Sequence, residues 1–101
     1  MVKRRLTSKE HLEWRQKILE RDNYKCVICS KGPKYLNAHH LLPSEFHKYE
    51  HDVDNGITLC PQHHTLGKES AHKNPYWFFL WMKENRSQQH EVAIWRLTNE
   101  V

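Results

Sequence analysis

Little in this sequence can build a conventional hydrophobic core. Apolar residues fill only 38% of the 101 positions, and a chain of that length is one domain burying limited apolar surface. Long apolar runs are missing too. The longest, Tyr76 to Met82, is far too short to cross a bilayer, and no basic stretch leading into an apolar one opens the chain as a secretory signal would. The protein is therefore expected to be intracellular, in the cytoplasm, with no membrane partner. Cysteine is scarce and odd in number: Cys26, Cys29 and Cys60 cannot pair off completely, which argues against a disulfide scaffold. In a reducing compartment the thiols stay available as ligands, so a metal is favoured as the staple. No internal repeat, low-complexity tract or interdomain linker divides the chain.

Basic charge and histidine are what the chain does hold. Sixteen Lys and Arg against twelve Asp and Glu give a net charge of +4, and the pI is near 9.1. With Lys3, Arg4 and Arg5 together near the start, this balance suits a polyanion such as DNA. Nine histidines invite a search for clusters, because imidazole is both a common metal ligand and a proton carrier near neutral pH.

Thr7 followed by Glu10 reads as a capping box, and Leu12, Trp14, Ile18 and Leu19 give one buried face to a helix over 8–21. Arg21-Asp22-Asn23 ends it. Cys26 to Cys29 form a knuckle, Lys31-Gly32-Pro33 a loop, and Tyr35 to Leu42 a strand stopped by Pro43 and Ser44. A polar connection with Glu45, His47, Glu50, His51, Asp52 and Asp54 reaches the turn dipeptide Asn55-Gly56. Ile57-Thr58-Leu59 predicts a second strand, and a helix from Pro61 carries His63 and His64, with Gly67 near its end. Asn74-Pro75 opens another helix by the N-cap and N1-proline rule. Its Trp77, Leu80 and Trp81 share a face that is predicted to pack in the core against the first helix. Periodicity leaves Val92 to Leu97 open between helix and strand.

Cys26-x-x-Cys29 and Cys60-x-x-His63 each present two ligands on a tight turn, the spacing that lets four side chains reach one tetrahedral zinc. Such a zinc would tie the segment before the strands to the helix after them, as a condition of folding. Four ligands satisfy that ion, yet His39, His40 and His64 remain beside it. Neighbouring helical residues diverge by about 100°, so His63 and His64 cannot comfortably serve one ion. The two could exchange roles, but the Cys-x-x-His spacing favours His63 for zinc and leaves His64 for another task.

The run Cys26-x-x-Cys29, then Ala38-His39-His40-Leu41, then Asp54-Asn55-Gly56-Ile57-Thr58-Leu59-Cys60-Pro61-Gln62-His63-His64 resembles the HNH endonucleases, His-Me finger nucleases that share a ββα-metal fold. The likeness covers about residues 14 to 64, and the histidine, asparagine and histidine of the name match His40, Asn55 and His64. Ala71-His72-Lys73-Asn74-Pro75 with its aromatic helix is similar, less specifically, to small phage-borne members. The resemblance implies an α+β fold and one nuclease domain over 1–101. It would comprise an N-terminal helix 8–21, a zinc-stapled ββα core 24–67 and a C-terminal extension 75–101.

It also implies roles. His40 stands where the family has its general base, His39 where it has a metal ligand that is often aspartate, and His64 where it has the second ligand of the catalytic ion. Asn55 matches the asparagine that bonds across to the segment bearing the base and orients it. The sequence departs from the pattern twice. His63 replaces a common fourth zinc cysteine, and His39 leaves the catalytic site without a protein carboxylate, which shifts its preference from Mg²⁺ toward Mn²⁺, Ni²⁺, Co²⁺ or Zn²⁺. Adjacent strand residues face opposite ways, so for His39 and His40 to address one phosphate the strand is expected to end or bend between them, near Pro43.

The function so implied is divalent-metal-dependent DNA hydrolysis. Two neutral imidazoles can hold an ion while leaving positions open for water and phosphate, and a third can take the proton. Lys31, Lys34 and Lys68, with Lys3, Arg4 and Arg5, are candidate phosphate contacts. The alternatives are a non-catalytic zinc module that binds DNA, or an accessory subunit of a phage packaging or other DNA-processing machine that docks through the helix 75–85. His47 and His51 read as exposed. His11 and His90 carry no motif, and His72 is balanced between a further ligand or phosphate contact and a simple helix-terminus or loop role.

Overall fold

A computed structural model describes residues 8–43 and 46–100, apart from the side chains of His47 and Glu100. Lys3, Arg4, Arg5, Thr7, Ser44 and Glu45 lie outside the described residues. Helix α1 spans Lys9–Arg21, and Ser8 is its N-cap, accepting from the His11 backbone N–H at 3.1 Å. The first helical residue thus falls one position later than the Thr7 capping box predicts. Trp14, Ile18 and Leu19 are its buried face, whereas Leu12, grouped with them by periodicity, is 55% exposed.

Strand β1, Asn37–His40, pairs antiparallel with β2, Gly56–Leu59, with His39 opposite Ile57 and His40 opposite Gly56. The first strand is shorter than the predicted 35–42 because Tyr35 takes a left-handed backbone, φ 64°, and is solvent-exposed. β2 is buried along its length and supplies Ile57 and Leu59 to the core. Helix α1 crosses this ribbon so closely that a Cβ on Gly56 would overlap the Ile18 and Trp14 side chains. Only glycine tolerates that approach.

The knuckle 26–29 is tied to β2, with Val27 N–H donating to Thr58 O at 3.1 Å. On the same residue of β2, Thr58 N–H donates to the Asp22 carboxylate at 3.1 Å, and Arg21 and Arg86 hold that carboxylate at 2.8 and 3.0 Å. Asp22 therefore joins the end of α1 to the strand and to the junction between the last two helices. Burial pushes its pKa up, but hydrogen bonding and charge from Arg21, with the Thr58 amide, outweigh this and hold it below the ordinary 3.8.

After β2 the predicted regular helix is instead one wide π-helical turn, Gln62–Leu66, closed by Gly67 N–H on Gln62 O at 2.8 Å. Helix α2 spans Pro75–Asn85, capped by Asn74 Oδ1 on Trp77 N–H as the sequence predicts. The face it buries carries Phe78 and Met82, with Trp77 and Trp81 packed alongside, while Leu80 is exposed. The tail predicted as helix or strand is helix α3, Ser87–Glu100. Its Arg96 pairs with Asp52 and Asp54 and lies over the Tyr49 ring, and its Gln89 donates to Asp54 O and Gly56 O. These bonds brace the connection from β1 to β2. The result is a small α+β unit, a two-stranded ribbon between helices. Among the described residues no helix is long and apolar enough to cross a membrane.

Candidate metal and histidine centre

Among the described residues, two groups of side chains that could ligate a metal ion stand within this frame. In the first, the ligand atoms of Cys26, Cys29, Cys60 and His63 all lie within 4.8 Å of one another. The Cys29 and Cys60 sulfurs are 3.6 Å apart, and His63 Nδ1 sits 3.4 Å from Cys60 Sγ and 3.8 Å from Cys26 Sγ. A tetrahedral zinc with sulfur at about 2.3 Å and nitrogen at about 2.05 Å has edges of roughly 3.5–3.8 Å; these three separations come close to such edges, and the group could hold an ion of that kind. The knuckle that delivers Cys26 and Cys29 closes through Cys26 N–H to Lys31 O and Ser30 N–H to Cys26 O, both 2.8 Å, with Ser30 in the left-handed region.

Thiol chemistry in this group favours a cation. Burial and the neighbouring thiols push Cys29 up to about 11. At Cys60 burial also acts upward, but the backbone N–H of His63 and the other cysteines bring the thiol below its ordinary value. The two thiols are thus shifted in opposite directions, and a cation placed between the sulfurs would favour the thiolate form of both.

His39, His64 and His72 form the second group, again with ligand atoms within 4.8 Å of one another. Their rings meet edge to face, His39 to His64 at 5.2 Å and 71°, His39 to His72 at 5.0 Å and 85°. Burial, then the imidazoles of His64, His72 and His40, push the His39 pKa down to about 3. His64 is lowered by burial and by His72. At neutral pH both are uncharged, the state a metal ligand requires. As the sequence predicts, His63 and His64 diverge, one toward the sulfurs and the other toward His39.

His40 is held differently. Its ring lies on the Trp14 indole with centroids 4.1 Å apart and planes within 10°, and its Nε2 is 3.0 Å from Glu50 O. The Trp14 Nε1–H donates to Asp52 O at 2.8 Å. His11, given no motif by the sequence, stands 6.1 Å from the His40 ring and 5.3 Å from Trp14. Asn55 is buried: its Oδ1 accepts from Leu42 N–H at 2.9 Å, while its Nδ2 donates to Leu42 O and Tyr49 O at 3.3 and 3.2 Å.

Of the expected end or bend, the strand shows no bend between His39 and His40, since regular pairing runs through both, but it does end at His40. Alternation sends His39 toward Phe78 of α2 and His40 toward Trp14 of α1. They nevertheless line one groove of about 780 Å³ with His64, His72 and Glu50. β1 ends there on the open edge of a two-stranded ribbon, so side chains of both faces border the same space. A larger groove of about 960 Å³, beside Arg21, Asp54 and Gln89, contains none of the histidines, and size alone gives it no chemistry. Lys31, Lys34 and Lys68 are exposed, and none of them lines the histidine groove.

A model of the HNH endonuclease family matches residues 26–66, a span holding both cysteine pairs, His39, His40, Asn55 and His64. The chain belongs to the HNH endonuclease family. It is also 32% identical over 56 residues to Anaredoxin of Nostoc sp., an alignment covering 55% of this chain and 72% of that protein. No solved structure matches it. The HNH match stops before His72, the residue that the sequence left undecided and the fold brings into the histidine group. Its sequence signals, histidine type and the loosely similar stretch Ala71-His72-Lys73-Asn74-Pro75, did not by themselves separate a ligand from a loop residue.

Proposed function

We propose that this chain is a divalent-metal-dependent DNA endonuclease in which His40 activates the attacking water. The observation that carries the reading is the pairing of His40 with Glu50 O. A carbonyl oxygen only accepts, so Nε2 of the neutral imidazole carries the proton and the basic lone pair lies on Nδ1. Stacking on Trp14 fixes the ring plane, so Nδ1 has a set direction in which to take a proton from water.

Asn55 acts as a positioning residue on the same ring from both sides. It holds Leu42, two residues after His40, and Tyr49, one residue before the Glu50 carbonyl that fixes the tautomer. His39 and His64, neutral and convergent, are the ligands proposed for the ion. When bound, a divalent cation supplies positive charge to the phosphate and to the departing oxygen. Cys26, Cys29, Cys60 and His63 are proposed to hold a structural zinc, which secures the turn bearing His64. Lys31, Lys34 and Lys68, together with Lys3, Arg4 and Arg5, are proposed contacts for phosphates lying away from the reacting one.

Incubation of zinc-loaded protein with supercoiled plasmid tests the reading. Addition of Mg²⁺, Mn²⁺, Ni²⁺, Co²⁺ or Zn²⁺ should convert the plasmid to nicked or linear forms with at least one of these ions, and chelation of that ion should stop it. Retarded but uncut plasmid with all five would instead support a non-catalytic DNA-binding module, whether free or as a subunit of a DNA-processing machine.

A further inference from the structure

We infer that His72 is a third protein ligand of the ion held by His39 and His64, so that the site presents three imidazoles and no carboxylate. The inference rests on the reading just given and adds to it a residue beyond the family match. Two parallel backbone bonds carry it there: Ala71 N–H donates to His63 O at 2.8 Å and His72 N–H to His64 O at 3.0 Å. Segment 71–72 is thereby laid along 63–64, and His72 is placed beside His64 despite eight intervening steps of chain.

The loop that makes this return is built rather than slack. Ser70 is fully buried, its hydroxyl donates to Gly67 O at 2.7 Å and accepts from Lys73 N–H at 3.2 Å, and its carbonyl accepts from Asn74 N–H at 2.9 Å. Asn74 then caps α2, so the return is fixed at both ends.

Ring geometry separates ligation from simple packing. His64 and His72 meet at 75° with Nε2 atoms 3.1 Å apart. Two nitrogens at about 2.1 Å from one ion and at right angles to each other are about 3.0 Å apart. An N–H···N hydrogen bond would account for that pair alone, but it leaves the third ring unexplained. All three rings converge edge-on, with their ligand atoms in one small volume. Three neutral nitrogen donors favour the later transition ions, whereas Mg²⁺ prefers oxygen and gives up water reluctantly. The metal class assigned is therefore Mn²⁺ through Zn²⁺, with Mg²⁺ disfavoured.

The test is binding of Co²⁺ to full-length protein already carrying one equivalent of zinc, followed by calorimetry and by the visible Co²⁺ bands, with zinc content measured before and after. Wild type should take up one Co²⁺ and bind Mg²⁺ far more weakly. His72→Ala should keep its zinc and its circular dichroism, lose at least about tenfold in Co²⁺ affinity, the lower end of what even outer-shell changes cost, and show altered bands. The variant His90→Ala, which changes a groove residue outside the histidine group, should bind as wild type does. Unchanged affinity and bands in His72→Ala, with binding lost in His39→Ala and His64→Ala, would overturn the role of His72 alone. Absence of a second ion in wild type, or binding indifferent to His39→Ala and His64→Ala, would overturn the ion site itself.

Discussion

His40 lies flat on Trp14, the rings 4.1 Å apart and within 10° of parallel, so the residue proposed to take the proton is aligned by the most deeply inserted aromatic of α1. The same indole donates to Asp52 O in the connection that carries Glu50. Core packing and alignment of the proposed base are thus one structure. Trp14→Phe should keep the stacking surface but strand the Asp52 carbonyl, costing about 1–3 kcal/mol, and it should slow cleavage more than it weakens DNA binding. Urea denaturation and single-turnover rates measure the two effects, and a variant as stable as wild type would separate them.

Asn55 offers a sharper contrast through charge. In Asn55→Asp one carboxylate oxygen can still accept from Leu42 N–H, but the other faces Leu42 O and Tyr49 O, which also only accept. Burial and these acceptors raise the new carboxyl's folded pKa, so the unfolded chain releases its proton first. Stability should fall as pH rises above about 4, the ordinary aspartate range. Asn55→Ala, losing about 1–3 kcal/mol for stranded polar groups, should lack this slope. Identical pH profiles for the two variants would contradict the hydrogen-bond assignment.

Asp22 has the opposite sign. Its folded pKa is held below 3.8, so the unfolded chain binds the proton first and the stabilisation, complete above that value, is lost as pH falls through the folded one. Asp22→Asn should be less stable than wild type at pH 7, and the gap between them should narrow at acid pH. Denaturation curves for both proteins at each pH measure it; a gap independent of pH would remove the carboxylate from the explanation.

Cys26→Ser tests the staple. It removes one of four ligands from a domain with little core, so it should lose zinc and unfold, with loss of the far-ultraviolet helical signal rather than of activity alone. A folded, zinc-free variant would show that packing suffices.

Much of this was legible in sequence because the chemistry is written in spacing. The Cys-x-x-Cys and Cys-x-x-His pairs predict their cluster, and Asn74-Pro75 predicts the start of α2. Periodicity was a poorer guide, since it gives a stripe without its edges. Leu12 and Leu80 share their helices' apolar pattern yet lie outside the packed faces, because the ribbon is narrow and Trp14 and Phe78 cover it. Between His39 and His40 the strand does not bend, but it ends at His40, and at that open edge both of its faces border one groove. His72 was only one candidate among the leftover histidines in the sequence, because its placement comes from backbone pairing of 71–72 with 63–64 and no local pattern encodes that return.

The most direct measurement is the single-turnover rate of plasmid cleavage by His40→Ala beside wild type, each carrying one zinc and equal amounts of the activating ion. Wild type should cut and His40→Ala should be slower by about 10²–10⁴, the usual worth of general-base assistance, with DNA affinity and fold retained. Cleavage by His40→Ala at the wild-type rate would contradict the proposed mechanism.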